Sequence, residues 1–154
     1  MGLVGKAVGV GAVLIIAAVY SSVTSAHRDT GGEIVDGGTL SVFEIQIGDC
    51  ISDSITGTLT EASAVPCSEA HIYEAYFNSE LPQNGSLSDV NEFTDEACYS
   101  NFEAYVGVSP ENTDLTFVSL IPTVGSWDSG DRKITCLLSN LDESEIVGSY
   151  YQYQ

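Results

Sequence analysis

The chain has 154 residues, of which 22 are acidic and only 4 are basic. All the acidic residues follow Arg28, so the part from residue 29 onward carries 2 basic against 22 acidic side chains, a formal charge of −20. Binding to nucleic acid requires clustered lysine and arginine, so this composition excludes nucleic acid as a partner. The charge serves solubility or steers the domain toward a basic partner or divalent cations.

Residues 3–23 form an apolar segment, uninterrupted from residue 7 to residue 20. A membrane span needs about 20 apolar residues, a length that is reached when residues 3, 4 and 23 are included and Lys6 extends toward the interface. We therefore predict a retained signal anchor, a transmembrane helix, over residues 1–26. The alternative is a cleaved signal peptide, with residues 24–26 as its small-residue cleavage site.

Gly5, Gly9 and Ala12 lie near one face of this predicted helix. Small residues at this spacing let helices approach closely in lipid, so we predict that they pack against another membrane helix. The orientation follows from the cysteines, because disulfides persist in oxidising compartments outside the cytoplasm. All four cysteines follow the apolar segment: Cys50, Cys67, Cys98 and Cys136. This order predicts a single-pass protein of the cell membrane with an extracytoplasmic C-terminal domain.

Residues 27–39 contain four glycines and few large apolar side chains, which predicts a flexible linker. The remaining residues, 40–154, form the predicted outer domain. Its alternating and β-branched stretches predict strands, and one stretch with helical periodicity predicts a helix. In chain order these are strands at 40–47, 56–65 and 71–78, a helix at 88–106, strands at 115–121 and 132–138, and a possible last strand at 147–153. This order predicts an α+β fold, a small antiparallel sheet with one main helix.

The predicted helix begins at Ser88, a suitable N-cap, and ends at Gly107, a suitable C′ residue. Its predicted apolar stripe consists of Val90, Phe93, Ala97, Cys98, Phe102, Tyr105 and Val106. Its acidic residues are expected to face solvent: Glu92, Asp95, Glu96 and Glu103.

Four cysteines allow three pairings. We predict Cys50–Cys67 and Cys98–Cys136, because the element order places these pairs next to each other. Each bridge is expected to add about 3 to 4 kcal/mol by restricting the unfolded chain.

His71 lies close to two carboxylates, those of Glu69 and Glu74. The functional interpretation is a metal or acid–base cluster, but a single histidine without a second histidine or a free cysteine is a poor zinc site. The structural interpretation is a hydrogen-bonded histidine beside a disulfide. If the segment is a strand, His71 and Glu74 point to opposite faces.

Trp127, Asp131 and Arg132 are the candidate partner-recognition residues, since tryptophan and arginine dominate binding hot spots. The structural alternative is a turn in which Gly130 adopts an unusual backbone angle, Arg132 pairs with a carboxylate and Trp127 covers the Cys98–Cys136 disulfide. No nucleophile elbow, phosphate-binding glycine loop or metal-loop pattern occurs. We therefore predict no enzyme activity, no cofactor and no metal.

Several short motifs occur in a fixed order: Gly48-Asp49-Cys50, the VPCSEAH run at 65–71 with Glu74, Glu96-Ala97-Cys98, the WDSGDR run at 127–132 followed by Cys136, and Gly148-Ser149. From about residue 32 to residue 150 they resemble the septum-formation family of actinobacterial membrane-anchored or lipid-anchored envelope proteins. The resemblance implies a link to cell division and supplies no catalytic mechanism or ligand. The leader lacks a lipobox cysteine, so a lipid anchor is not expected.

Together these observations predict a non-enzymatic, membrane-anchored binding or scaffold protein of the cell envelope. Its predicted partners are the membrane and another integral membrane or envelope protein. The alternative is an accessory subunit of a larger membrane complex, docked through its transmembrane helix and its acidic outer domain.

Overall fold

The computed structural model describes residues 24–152. The predicted anchor, with Gly5, Gly9 and Ala12, lies almost entirely outside the described residues. Within residues 24–152, no helix combines the length and the hydrophobicity that crossing a bilayer requires.

The described chain contains eight strands and two α-helices. The strands are β1 (His27–Arg28), β2 (Ile34–Asp36), β3 (Gly38–Ser41), β4 (Cys50–Ile51), β5 (Glu61–Val65), β6 (Tyr73–Glu80), β7 (Leu115–Leu120) and β8 (Lys133–Asn140). The helices are α1 (Val90–Val106) and α2 (Val124–Asp128).

The main sheet has six antiparallel strands in the order β3-β5-β4-β6-β8-β7, and β1 pairs with β2 in a separate hairpin. Helix α1 packs on one face of the main sheet, over β6 and β7. The prediction of an α+β fold with an antiparallel sheet and one main helix is confirmed. The helix side buries an aromatic cluster that includes Tyr76, Phe102 and Tyr150, and the other face buries an aliphatic cluster around Leu40, Ile51 and Leu137.

Both predicted disulfides are present. Cys50–Cys67 joins β4 to the loop after β5, with Cα atoms 5.3 Å apart. Cys98–Cys136 joins α1 to β8, with Cα atoms 5.6 Å apart. The second bridge therefore clamps the helix to a strand of the sheet, as the element order indicated.

The segment predicted as a flexible linker, residues 27–39, instead forms β1, β2 and the start of β3. Residues 24–26 also lie along β3: the Thr39 amide donates to the Thr24 carbonyl at 2.9 Å, and the Ala26 amide donates to the Thr39 carbonyl at 3.0 Å. Gly38 makes this approach possible, because a Cβ atom there would lie 2.2 Å from the Thr24 carbonyl oxygen. The linker prediction took glycine as a sign of flexibility, whereas here it permits close packing.

Several predicted boundaries differ from the structure. The strand predicted at 40–47 ends at Ser41, where a 3₁₀ turn (Val42–Glu44) begins, and the strand predicted at 56–65 starts only at Glu61. Strand β4 and helix α2 were not predicted, since each is too short to show periodicity. Residues 147–153 form no strand in the part that is described; the chain makes an isolated bridge between His71 and Ile146 and then turns.

A β-bulge at Tyr76 changes which side chains of β6 face the helix. The register jumps between Ala75 and Phe77, so Phe77 joins Tyr76 in the aromatic cluster. Asn78 then reaches the opposite face, where its amide donates to the Ile45 carbonyl at 3.0 Å. One extra residue therefore inverts the alternation of the side chains in β6 after Tyr76.

Helix α1 ends as predicted, with Gly107 in the left-handed region at φ 92°. Its acidic residues Glu92, Asp95, Glu96 and Glu103 are exposed, as predicted. Its buried stripe repeats every four residues, as Val90, Thr94, Cys98, Phe102 and Val106. Thr94 thus occupies the core position that was predicted for Phe93, whose side chain is 40% exposed.

Replacing Thr94 by valine is expected to stabilise the protein. Thr94 is fully buried, and its hydroxyl has no hydrogen-bond partner among residues 24–152. An unsatisfied buried polar group costs about 1 to 3 kcal/mol, so Thr94→Val should raise the free energy of unfolding by about 1 kcal/mol in urea titrations. The matched change in an exposed loop, Thr58→Val, should alter it by less than about 0.5 kcal/mol. A loss of stability in Thr94→Val would contradict the assignment.

Candidate functional site

Three stretches of the chain and four further side chains line one groove of about 740 Å³ beside the Cys50–Cys67 disulfide. Residues 31–35 and 46–49 form one wall and residues 66–69 the other. The groove, named here the Glu74 groove, is completed by the side chains of Glu74, Tyr105, Ser149 and Tyr151. Much of the motif pattern found in the sequence therefore meets at this place.

Glu74 is the central side chain, and it is 1% exposed. Its Oε1 accepts hydrogen bonds from the Tyr105 hydroxyl and the Ser149 hydroxyl, each at 2.6 Å. Its Oε2 accepts a hydrogen bond from the backbone amide of Tyr150. No basic side chain forms an ion pair with Glu74 within residues 24–152, so three hydrogen-bond donors take the place of a counter-ion.

A second carboxylate, that of Asp49, organises the other wall. Both oxygens of Asp49 accept from the guanidinium of Arg28, at 2.5 and 2.6 Å, and Oδ2 also accepts from the Gln46 amide at 2.7 Å. Arg28 donates further to the carbonyls of Gly32 and Glu44. The hydrogen bond with Asp49 raises the pKa of Arg28. This bidentate pair fastens the segment around β1 to the main domain.

His71 is a buried structural side chain. Its Nδ1–H donates to the Glu69 carbonyl at 2.8 Å, and its ring meets the Tyr150 ring edge-on with centroids 6.4 Å apart. The condition under which His71 and Glu74 would point to opposite faces is not met, because the chain bends at residue 72 and β6 begins only at Tyr73. Both side chains instead contact the C-terminal segment at 149–150.

Cys50, Cys67 and Glu74 bring ligand-type atoms within 4.8 Å of one another. Metal binding by cysteine requires a thiolate, and both sulfurs are joined in a disulfide. The three residues therefore do not form a metal centre in the oxidised protein.

Trp127, Asp131 and Arg132 lie together at the end of α2, and all three are half-buried. Arg132 stacks on the Trp127 ring, with its guanidinium carbon 3.6 Å from the centroid, and Nη1 donates to the carbonyls of Trp127 and Asp131. Arg132 does not form the expected carboxylate pair, since no ion pair of Arg132 occurs in the described part of the chain. Gly130 has the expected positive φ, 97°.

The expectation that Trp127 covers the Cys98–Cys136 disulfide is also wrong. Trp127 packs instead against a third cluster, formed by Leu81, Val90 and Ile134. The hydrogen bonds and the stacking around Arg132 describe a folded turn, and the role of these residues in partner recognition stays a prediction.

A sequence model described as "Septum formation" matches residues 36–148. The chain belongs to the septum-formation family. No curated protein and no solved structure matches it. The matched region of this septum-formation protein contains both disulfides, Asp49, Glu74 and Tyr105, whereas Arg28 precedes it and Ser149 follows it.

Sequence reasoning did not assign a role to three of the residues that donate hydrogen bonds to the two buried carboxylates. The sequence predicts a linker position for Arg28, a place in the helix stripe for Tyr105 and only a motif position for Ser149. Their hydrogen bonds to the two carboxylates are not visible in the sequence, because each bond joins residues that are 21 to 75 positions apart. The available signal was the presence of Glu74 among the largely apolar residues of a strand, since buried carboxylates need donors.

Replacing Glu74 by glutamine is expected to destabilise the septum-formation domain. The amide nitrogen cannot accept a hydrogen bond, so at least one of the three donors around residue 74 is left buried and unpaired. The expected loss is about 1 to 3 kcal/mol in the free energy of unfolding, measured by urea titration. Glu80→Gln, at the exposed end of the same strand, is the matched control and should change it by less than about 0.5 kcal/mol. Equal stability of the two variants would contradict the role of Glu74.

Tyr105 should make the domain sensitive to alkali. Burial, with a further contribution from the Glu74 carboxylate, raises the pKa of Tyr105 far above its ordinary value. In the unfolded chain the Tyr105 hydroxyl loses its proton above about pH 10. The contribution of protonated Tyr105 to the free energy of unfolding is therefore complete below that pH and declines as the pH rises. Tyr105→Phe should lose stability at neutral pH but show an alkaline decline that is shallower by about 1.4 kcal/mol per pH unit.

The measurement is urea unfolding between neutral pH and about pH 12. Burial also raises the pKa of Tyr76, so part of the alkaline decline must persist in Tyr105→Phe. An unchanged slope would show that Tyr105 ionises as readily in the folded as in the unfolded protein.

Proposed function

We propose that this septum-formation protein is a non-enzymatic, membrane-anchored binding or scaffold module of the cell envelope, acting outside the cytoplasm in septum formation. Membership of the family supports the link to the septum. Two disulfides support an oxidising compartment, and the apolar stretch before residue 24 supports attachment to the membrane.

The observation that carries the binding role is the convergence on the Glu74 groove. The two buried carboxylates of the groove, Glu74 and Asp49, are both hydrogen-bonded within the domain. The groove therefore offers shape and charge rather than a free nucleophile or base, which favours recognition over catalysis.

The charge of the groove favours a basic partner segment. Glu33 and Glu69 are exposed among its lining residues, and the whole chain after Arg28 carries −20. A basic extracytoplasmic loop of an integral membrane or envelope protein is thus the partner class that this surface attracts.

The packing of residues 24–26 favours a retained anchor over a cleaved leader. These residues are hydrogen-bonded to Thr39 and occupy the space above Gly38. Cleavage after Ala26 would remove them and leave that edge of β3 without its partner.

The second candidate function is an accessory subunit of a larger membrane complex. The spacing of Gly5, Gly9 and Ala12 in the sequence favours it, because such faces pack against other membrane helices. A stoichiometric integral-membrane partner after gentle detergent extraction, lost in Gly5→Leu/Gly9→Leu, would distinguish it from a scaffold that binds through its outer domain alone.

The groove can be tested by photo-crosslinking in dividing cells that express the full chain. A photoreactive amino acid at Ser68, which is exposed in the groove wall, is expected to form a discrete adduct with an envelope protein. The same amino acid at Leu141, 73% exposed and outside the groove, is expected to form none. Glu69→Arg should weaken the Ser68 adduct several-fold, because it reverses the charge of the groove rim.

Glu103→Arg is the matched control, since it makes the same charge change on the exposed side of α1.

A fluorescent fusion of the full chain should concentrate at the septum, and Glu69→Arg should disperse it while Glu103→Arg does not. Equal adducts from Ser68 and Leu141, or a uniform distribution of the unmodified fusion, would contradict the proposed function.

A further inference from the structure

The described residues belong to the folded domain from Thr24 onward. Thr24, the first described residue, is already bonded to β3 through the Thr39 amide. His27 and Arg28 then pair with β2, and Arg28 is bound to both oxygens of Asp49. Residues 24–28 are therefore all bonded to the domain, which is held in a fixed orientation relative to Thr24.

The sequence limits how far the domain can lie from a membrane that holds the apolar segment. The uninterrupted apolar stretch ends at Tyr20, four residues before Thr24. Four residues span at most about 14 Å, and the headgroup layer of one leaflet is about 5 to 8 Å thick. The edge of the domain at Thr24 must therefore lie within or just above the headgroups.

The surface beside this edge exposes large apolar side chains. Phe43, 56% exposed, lines a groove together with Ser25 and Ala26. It also lines a second, largely apolar groove with Ile121, which is 39% exposed. We name Phe43 and Ile121 the Phe43 face.

Lys133 holds the Phe43 face in place. Its ammonium group donates to the carbonyls of Phe43 and Ile45, each at 2.8 Å. The segment that carries Phe43 is thereby tied to the start of β8 while the Phe43 side chain stays exposed. Aromatic and aliphatic side chains held in this way at the level of the headgroups partition into the interface.

The charge distribution favours this face over the others. The strongly negative domain is repelled by anionic lipid, so a face that approaches the membrane should contain the few cations. Of the three basic residues in the described part, Lys133 and Arg28, which is paired with Asp49, both line the groove beside Ser25, together with Glu44 and Glu61. The region around Leu141, at the other end of β8, has Asp114 and Asp142 and no lysine or arginine among its lining residues.

We propose that the Phe43 face rests on the outer headgroup layer of the membrane that holds the anchor, and that this contact orients the Glu74 groove. The inference rests on the proposed membrane anchoring. Gln46 lines both the groove that contains Phe43 and the Glu74 groove, so the two grooves adjoin. The Glu74 groove then opens sideways along the membrane surface, at the height of the short outer loops of an integral membrane partner.

The test uses the full chain in vesicles of phosphatidylcholine and phosphatidylglycerol. A nitroxide label is placed at Phe43→Cys or, as the matched control, at Leu141→Cys, with the native disulfides verified by peptide mapping. Leu141 is even more exposed than Phe43 and lies about 26 Å farther along β8 from Lys133. The collision rate of each label with a water-soluble nickel complex and with oxygen is measured by electron paramagnetic resonance.

The label at position 43 is expected to collide several-fold less with nickel, and more with oxygen, than the label at position 141. Equal nickel collision rates at the two positions in vesicle-bound protein would overturn the inference. Extraction of the protein from the vesicles by alkaline carbonate would instead overturn the proposed anchoring itself, so the two failures are distinguishable.

Gly38→Ala provides a second test in the protein labelled at position 43. The added methyl group would lie 2.2 Å from the Thr24 carbonyl oxygen, so residues 24–26 must leave β3. The protection of the label from nickel should then be lost while the protein stays vesicle-bound. Gly125→Ala, which meets nothing within 4 Å, should keep the protection. Protection that persists in Gly38→Ala would show that packing of residues 24–26 on β3 does not orient the domain.

Discussion

The hydrogen bonding of the buried Glu74 carboxylate joins the parts of this fold that are otherwise independent. Glu74 lies on the central strand β6. Its carboxylate accepts hydrogen bonds from Tyr105 of the helix and from Ser149 and the Tyr150 amide of the C-terminal segment. A carboxylate in this position is stable only while its donors stay in place, since a buried charge without them is costly. Helix, sheet and tail must therefore be correctly placed at the same time.

The two disulfides act on different sides of this junction. Cys98–Cys136 fixes α1 to β8, which keeps Tyr105 over the sheet. Cys50–Cys67 fixes the groove wall at 66–69 to β4, whose Cys50 lies opposite Glu74 in the sheet register. The covalent bridges thus limit the motion of the elements whose polar contacts form the Glu74 groove. A rigid groove loses less entropy on binding than a loose one.

The cysteines and the helix could be predicted from the sequence, because local periodicity and element order determine them. The convergence of Arg28, Asp49, Glu74 and Ser149 could not, since it depends on contacts between distant segments. The bulge at Tyr76 was also hidden, because an extra residue in a strand leaves no mark on residue type. The glycines of residues 27–39 led to a wrong prediction of flexibility. At Gly38 the absence of a side chain allows a neighbouring backbone to approach, and composition alone cannot distinguish this role from flexibility.

The strand-like packing of residues 24–26 on β3 has a further consequence for the fate of the chain. These residues pair with the outer edge of β3, the edge that has no neighbour in the main sheet. A chain shortened to begin at His27 would present that row of amides and carbonyls to solvent, and exposed edges recruit strands from other molecules. Residues 24–26 therefore also protect the domain from self-association, and a domain cleaved after Ala26 would lose colloidal stability.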